Sequence, residues 1–115
     1  MTITRHQTNS RMSKIVIHNE TIYLSGQVAQ ERDSDITTQT QQVFDKIEAL
    51  LIEAGSNKNK ILSAQIWLSN IANFAAMNEV WDKWIDEGNQ PARATIEARL
   101  ASPELLVEIG IIAAQ

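Results

Sequence analysis

Hydrophobic positions near the N-terminus fall into two short runs separated by a polar pair. Residues 14–18 and 21–26 are rich in β-branched and aromatic side chains, which favour β-strands. Asn19 and Glu20 lie between the runs, and a two-residue connection is typical of a β-hairpin. The pattern therefore predicts that the chain opens with a pair of antiparallel strands.

Two later segments place their apolar residues at the spacing of an α-helix. The first has apolar positions at Ile36, Val43, Ile47, Leu50, Leu51 and Ala54. Asp33, Ser34 and Asp35 offer N-caps for this helix, and Gly55 is suited to end it. The second helix is predicted to begin at a cap on Asn70 or Asn73 and to end at Gly88. Its predicted apolar face carries Phe74, Met77, Trp81, Trp84 and Ile85.

Three further strands complete the predicted order β-β-α-β-α-β-β. They cover residues 61–68, 91–100 and 105–113, with a turn at 101–104 between the last two. Two helices of this length would cover one face of a mixed sheet, as in an α+β or α/β layer. Residues 105–113 are apolar at almost every position, which is typical of a strand buried on both sides. With both helices on one face of the sheet, the other face would have to be covered by another copy of the chain. We therefore expect a homo-oligomer.

Composition narrows the possible functions. The 115 residues are enough for a single domain, 1–115, and no apolar run approaches the roughly 20 residues of a membrane span. The sequence contains no cysteine and only two histidines, and the histidines are not at metal-ligand spacing. The net charge is −4, with no cluster of cations, which argues against nucleic-acid binding. The N-terminus lacks a signal-peptide core, so we expect a cytoplasmic protein.

The strongest candidate chemistry lies in the last two predicted strands. Arg93, Thr95 and Glu97 share one face of their strand by alternation, and Glu108 is the only ionisable residue in the strand that follows. If these strands pair antiparallel across the turn at 101–104, Glu108 lies on the face of Arg93, beside Thr95 or Arg93 itself. Two interpretations stay open: a structural ion pair at a subunit interface, or a guanidinium that binds a substrate carboxylate while Glu108 holds a water.

Several motifs in order resemble the Rid family of reactive-intermediate deaminases, the YjgF-like proteins. The segments that carry the resemblance are Leu24-Ser25-Gly26-Gln27-Val28, Phe74-Ala75-Ala76-Met77-Asn78, Pro91-Ala92-Arg93-Ala94-Thr95 and Val107-Glu108-Ile109. Their order and spacing fit across nearly the whole chain. Within the family the chain looks most similar to the short YoaB-like branch, notably at residues 55–58 and 73–78.

The resemblance implies a chorismate-mutase-like α+β fold and a homotrimer with sites in the clefts between subunits. It implies hydrolysis of 2-imino or enamino acids, such as 2-iminobutanoate and 2-iminopropanoate, to 2-keto acids and ammonia, without a cofactor or metal. Arg93 would bind the carboxylate of this small metabolite, and Glu108 would position water or relay a proton. Ser25, Gly26, Asn78 and Thr95 would line the cleft and bind substrate. Such a protein would serve metabolite damage control.

Departures from the family pattern keep other functions open. A Gly-Pro-Tyr segment is replaced by residues 11–13, Cys by Thr95, Pro by Ala29 and a second Glu by Gly110. Loss of the Tyr and Cys motivates an alternative, in which the clefts bind or sense a 2-keto-acid-like metabolite without turnover. A ribonuclease, an activity attached to some relatives, is a weaker possibility because the chain is acidic and lacks a suitable pair of histidines.

Overall fold

The computed structural model describes residues 2–115, which form one six-stranded sheet and two α-helices. The strands are β1 Thr4–Thr8, β2 Ser13–His18, β3 Thr21–Val28, β4 Ile61–Leu68, β5 Ala92–Glu97 and β6 Val107–Ala114. The helices are α1 Ile36–Glu53, between β3 and β4, and α2 Phe74–Trp84, between β4 and β5. The strand order is β1-β2-β3-β6-β4-β5, with β4 and β5 parallel and the other neighbours antiparallel.

Local signals in the sequence place the β2–β3 hairpin and α1 correctly. Asn19 and Glu20 have φ values of 52° and 62°, so both occupy the left-handed region that a tight hairpin turn requires. Asp35 caps α1 by accepting a hydrogen bond of 2.9 Å from the Thr38 amide. Gly55 follows the helix at φ 83°, a conformation that glycine adopts without a steric penalty.

Both helices pack on the same face of the sheet, which confirms the predicted α+β fold with a mixed sheet. The buried core lies between the helices and this face. At its centre the rings of Phe44 and Trp84 are stacked, with centroids 4.1 Å apart. Trp81 meets both rings edge-on, at 5.9 and 6.0 Å. These three aromatic rings pack α1 against α2.

Several elements differ from the sequence prediction, among them β5, which ends at Glu97 rather than at 100, and β6, which begins at Val107 rather than at 105. Strand β1 was not predicted, because Thr-Arg-His-Gln-Thr has no apolar position and the strand pairs only with β2 at an edge of the sheet. Helix α2 ends at Trp84, and Gly88 instead serves the following turn at φ 87°. Asn70 caps a short 3-10 turn, Ile71–Asn73, while the Asn73 side chain makes no capping hydrogen bond.

The predicted pairing of the last two strands is wrong. Strand β4 lies between them, parallel to β5 and antiparallel to β6, so β5 and β6 are not neighbours. Arg93 lies beside Ala64, on the helix-covered face, whereas Glu108 lies beside Trp67, on the other face. The expectation that Glu108 and Arg93 share a face therefore fails within one chain. Residues 98–106 carry no strand and lead the chain past the end of β4 to reach its other side.

The face of the sheet without helices is partly apolar. Tyr23, Ile96 and Ile112 expose 44%, 54% and 38% of their surface there. Trp67 also lies on this face, against Gly110; a Cβ on Gly110 would lie 3.4 Å from the indole. Among residues 2–115 no helix is long and apolar enough to cross a membrane.

Candidate active site

Arg93 is the centre of a cluster at the β5 edge of the helix-covered face. Its Nη1 donates a hydrogen bond of 2.7 Å to Oδ1 of Asn78. Its guanidinium carbon lies 4.9 Å from the ring centroid of Trp81 and 5.8 Å from that of Phe74, distances at which a cation is attracted to an aromatic ring. Arg93, Asn78, Trp81 and Phe74 are called the arginine half-site below.

Helix α2 supplies three of these four residues for a simple geometric reason. Phe74, Asn78 and Trp81 follow one another at helical spacings of four and three, so they lie on one face of α2. Sequence reasoning assigned Trp81 to the core and did not assign Phe74 to the site, although this spacing linked both residues to Asn78. Because Trp81 also packs against Phe44 and Trp84, the guanidinium rests on a rigid aromatic base.

The guanidinium of Arg93 has no carboxylate partner among the residues that the structure describes. The ion pairs within 4.0 Å among residues 2–115 are His6–Glu53, Lys58–Glu48 and Lys58–Asp86. Partial burial lowers the pKa of Arg93, and the nearby charge of Asp82 opposes that shift. Arginine stays protonated at neutral pH all the same. The half-site therefore presents a fixed positive charge with unused hydrogen-bond donors.

Thr95 lies next to Arg93 on the same face of β5. It is paired with Ile66, a buried residue of β4. Its hydroxyl oxygen is buried and has no hydrogen-bond partner among residues 2–115. A buried hydroxyl without a partner costs free energy, which sets Thr95 apart from the exposed hydroxyl groups of the chain.

Glu108 lies in a second cluster, on the face of the sheet without helices. A β-bulge interrupts β3 between Leu24 and Gln27, and Glu108 is paired with Val28 just beyond it. The carboxyl group leans over Gly26, so that a Cβ added there would overlap its Oε2 and lie 3.0 Å from its Cδ. Ser25, Gly26 and Glu108 are called the glutamate half-site below.

Gln27 braces the bulge that shapes the glutamate half-site. Its side chain is buried, and its Nε2 donates hydrogen bonds of 3.1 Å to the Ser25 carbonyl and 3.0 Å to the Ser25 hydroxyl. The bulge places one extra residue in β3 opposite β6, at the point where Gly26 lies against Glu108. Sequence reasoning did not single out Gln27, although it follows the Ser-Gly pair directly.

The structure thus divides the predicted site residues into two groups. Asn78 contacts Arg93 and Thr95 follows Arg93 on the same face of β5, while Gly26 lies against Glu108 and Ser25 precedes Gly26 in the β3 bulge. The two groups are on opposite faces of the sheet, separated by β4. Within residues 2–115 no three histidine, aspartate or glutamate side chains cluster as metal ligands would.

Fold and site together define a class of protein. The chain is a chorismate-mutase-like α+β protein, with a positioned arginine on one face of its sheet and a glutamate set against a glycine on the other. Comparison with known proteins then gives the family. The family model described as Endoribonuclease L-PSP matches residues 2–115.

Individual relatives agree with the family model. The chain is 45% identical over 114 residues to the RutC family protein YoaB of Escherichia coli, and the match covers 99% of each chain. A crystal structure of a YjgF family member from Neisseria meningitidis is 43% identical with a TM-score of 0.97, covering 100% of this chain and 96% of that one. The conserved Rid family protein YyfA of Yersinia pestis is 32% identical with a TM-score of 0.86, covering 94% and 90%. The chain therefore belongs to the Rid family, also called YjgF or L-PSP, and resembles its YoaB-like members, as the sequence motifs predicted.

Proposed function

We propose that this chain hydrolyses small 2-imino or enamino acids to 2-keto acids and ammonia, in clefts between the subunits of a homo-oligomer. The observation that carries the proposal is Arg93, a partly buried guanidinium that is fixed by Asn78 and Trp81 and lacks a carboxylate partner within residues 2–115. The family to which the chain belongs makes an imine deaminase resembling those for 2-iminobutanoate and 2-iminopropanoate the best assignment. The cytoplasm is the compartment we propose.

Arg93 is suited to bind the carboxylate that every 2-imino acid carries. A planar guanidinium offers parallel N–H donors that match the two oxygens of a carboxylate. Asn78 occupies one nitrogen and Trp81 supports the guanidinium, so little side-chain freedom remains to be lost when an anion binds. Thr95 is the next side chain on this face of β5, and its buried hydroxyl has no hydrogen-bond partner among residues 2–115.

Glu108 is suited to the proton transfers of imine hydrolysis. Its carboxylate would accept a proton from water as the water oxygen bonds to the imine carbon and the C=N electron pair moves to nitrogen. If the imine reacts in its protonated form, the nitrogen then carries two hydrogens and takes the third from Glu108, the C–N bond breaks to release ammonia, and the hydroxyl proton passes to solvent to give the 2-keto acid. Positioned proton transfer of this kind contributes roughly 10²–10⁴-fold to a rate.

Assembly is needed to bring the two half-sites together. Arg93 and Glu108 lie on opposite faces of one sheet, so a cleft that holds both must combine Arg93 of one subunit with Glu108 of another. The face that carries Glu108 also exposes Tyr23, Ile96 and Ile112, which a second copy of the chain would cover. We propose a trimer, the assembly that the family resemblance implies.

A ribonuclease mechanism based on two histidines receives no support from the geometry. His6 pairs with Ile15 on the helix-covered face and contacts Glu53 at 3.3 Å. His18 comes directly after Ile17, a residue of the helix-covered face, and so points to the opposite face. Two histidines on opposite faces of β1 and β2 cannot act together as acid and base on one phosphodiester within a chain.

Release of ammonia and keto acid from imines made in situ by an amino-acid oxidase tests the proposal. The wild type is compared with Arg93→Ala and with Arg32→Ala, a control that removes an exposed arginine from the turn before α1. Small and bulky amino-acid precursors are tested in parallel. We expect the wild type and Arg32→Ala to accelerate hydrolysis and Arg93→Ala to fail. Acceleration by Arg93→Ala at the wild-type rate would refute the mechanism. No acceleration by the wild type would leave metabolite binding without turnover as the function.

A further inference from the structure

The side chain of Glu108 lies against Gly26 in the glutamate half-site. If a Cβ is built on Gly26, its three nearest neighbours are all atoms of Glu108, namely Oε2, Cδ at 3.0 Å and Cγ at 3.2 Å. The carboxylate therefore occupies the space that any other side chain at residue 26 would need. The space beside Gly26 is filled by Glu108, rather than being left open for a ligand to approach the backbone.

Backbone conformation does not explain the glycine at this position. Gly55 and Gly88 have φ values of 83° and 87°, where a side chain would be strained, but Gly26 is not among the residues with positive φ. An alanine could adopt the backbone conformation of Gly26. Its Cβ, however, would overlap the Glu108 carboxylate, so the carboxylate would have to move.

From this contact we propose that Gly26 is a positioning residue for Glu108. The absence of a side chain at residue 26 sets the rotamer in which the carboxylate lies over the β3 bulge. The role in catalysis rests on the proposed function, since it assumes that Glu108 handles the proton of the attacking water. The placement of the carboxylate is a structural statement that can be tested separately.

The contact also predicts what an alanine would do. The atoms that a new Cβ would meet belong to the end of a flexible side chain, so Glu108 can rotate away without disturbing the backbone. We therefore expect Gly26→Ala to fold normally and to keep its Tm. A displaced carboxylate no longer reaches the attacking water, and a misplacement of about 1 Å can cost on the order of 10²-fold in rate.

The experiment measures kcat and KM for imine hydrolysis in Gly26→Ala and in Gly110→Ala. Gly110 is the matched control, because it lies on the same face as Glu108 and a Cβ there would only touch the Trp67 ring, at 3.4 Å. We expect Gly26→Ala to lose about 10- to 100-fold in kcat with KM within about twofold of wild type. Gly110→Ala should stay close to wild type. Equal losses in the two variants would overturn the proposal.

A double-mutant cycle with Glu108→Gln separates positioning from a general defect. If Gly26 acts through Glu108, adding Gly26→Ala to Glu108→Gln should change kcat by less than about twofold. The same loss in both backgrounds would contradict the proposal, because Gly26 would then act without the carboxylate.

Crystal structures of wild type and Gly26→Ala supply a readout that needs no turnover. We expect Glu108 in a different side-chain rotamer in the variant, over an unchanged β3. An unmoved Glu108 would overturn the inference whatever the kinetics show. If the wild type proves inactive toward imines, the proposed function fails, and this structural comparison still decides whether Gly26 sets the position of Glu108.

Discussion

The two half-sites are built in opposite ways. Arg93 is held by contacts: a 2.7 Å hydrogen bond to Asn78 and the rings of Trp81 and Phe74, all on α2. Glu108 instead has its position because residue 26 is a glycine: the carboxylate occupies the space that a side chain at residue 26 would fill. The first arrangement fixes a cation through partners, whereas the second leaves a carboxylate beside bare backbone.

The difference fits the two tasks that we assign. A residue that binds a carboxylate gains from being rigid, because less conformational freedom is lost when the ligand arrives. A residue that takes and returns a proton needs a defined position but also oxygen atoms that stay free to meet water. Binding would therefore depend on the helix layer behind Arg93, and chemistry on the β3 bulge beside Glu108. Each variant below acts on one half-site or on neither.

The largest expected effect is the loss of ligand affinity in Arg93→Ala, compared with the loss of turnover in Glu108→Gln. Truncation of Arg93 to alanine removes the charge that meets the carboxylate, so affinity for 2-oxobutanoate should fall by at least about 100-fold. Glu108→Gln keeps the arginine half-site and should bind the same keto acid within about threefold of wild type, although its kcat should fall by roughly 10²–10⁴-fold. Isothermal titration calorimetry measures both. Equal loss of affinity in the two variants would contradict the division of labour.

A smaller effect is expected when the aromatic base of Arg93 is removed. Trp81→Leu should weaken binding of 2-oxobutanoate by about tenfold, since a partly desolvated cation–π contact is worth roughly 1–2 kcal/mol. Trp81→Phe should restore much of the loss because a ring returns beneath the guanidinium. Trp84→Leu is the matched control: it removes a ring from the same aromatic cluster, stacked on Phe44, and Trp84 is not among the rings within 6 Å of Arg93. If Trp84→Leu weakens binding as much as Trp81→Leu, the effect comes from a loosened core.

The smallest effect is expected at the N-cap of α1, where the Asp35–Thr38 hydrogen bond is separate from the contacts that hold Arg93. The Thr38 hydrogen bonds lower the pKa of Asp35 below its ordinary value of 3.8. Asp35→Ala should therefore lower Tm by a few degrees at neutral pH and leave kcat and KM unchanged.

The pH dependence of that difference follows from the direction of the shift. Because the folded-state pKa of Asp35 is lowered, its contribution is fully present above 3.8 and is lost as the pH falls through the lower folded-state value. Thermal melts of wild type and Asp35→Ala should therefore differ at pH 7 and converge well below pH 4. A constant Tm difference down to the lowest pH would show that the charge of Asp35 is not involved.

The sequence predicted best what depends on neighbouring residues. The Asn19-Glu20 turn and the Asp35 cap are set by a few adjacent side chains, and both are confirmed. Alternation also identified correctly that Arg93 and Thr95 share a face of β5. What alternation cannot supply is how that face relates to the faces of distant strands. The insertion of β4 between β5 and β6 is a long-range pairing, and it reverses the relation of Arg93 to Glu108.

The arginine half-site was only partly predictable for the same reason. Asn78 was named through the family resemblance, and its contact with Arg93 agrees with a place in the site. Trp81 was predicted as a core residue, and it does pack against Phe44 and Trp84 in the core. The same side chain also lies beneath the guanidinium of Arg93. A residue that serves core and site together has no separate signal in a hydrophobic pattern.

Subunit complementation tests most directly the claim that each cleft combines Arg93 of one subunit with Glu108 of another. Arg93→Ala and Glu108→Gln, each with only residual activity alone, are unfolded together, refolded as a mixture and assayed for imine hydrolysis. In a cyclic oligomer mixed at random in equal amounts, about a quarter of the interfaces join an intact Arg93 to an intact Glu108, so about a quarter of wild-type activity should return. A mixture as inactive as its parents, beside wild type that regains activity under the same refolding, would contradict the shared cleft.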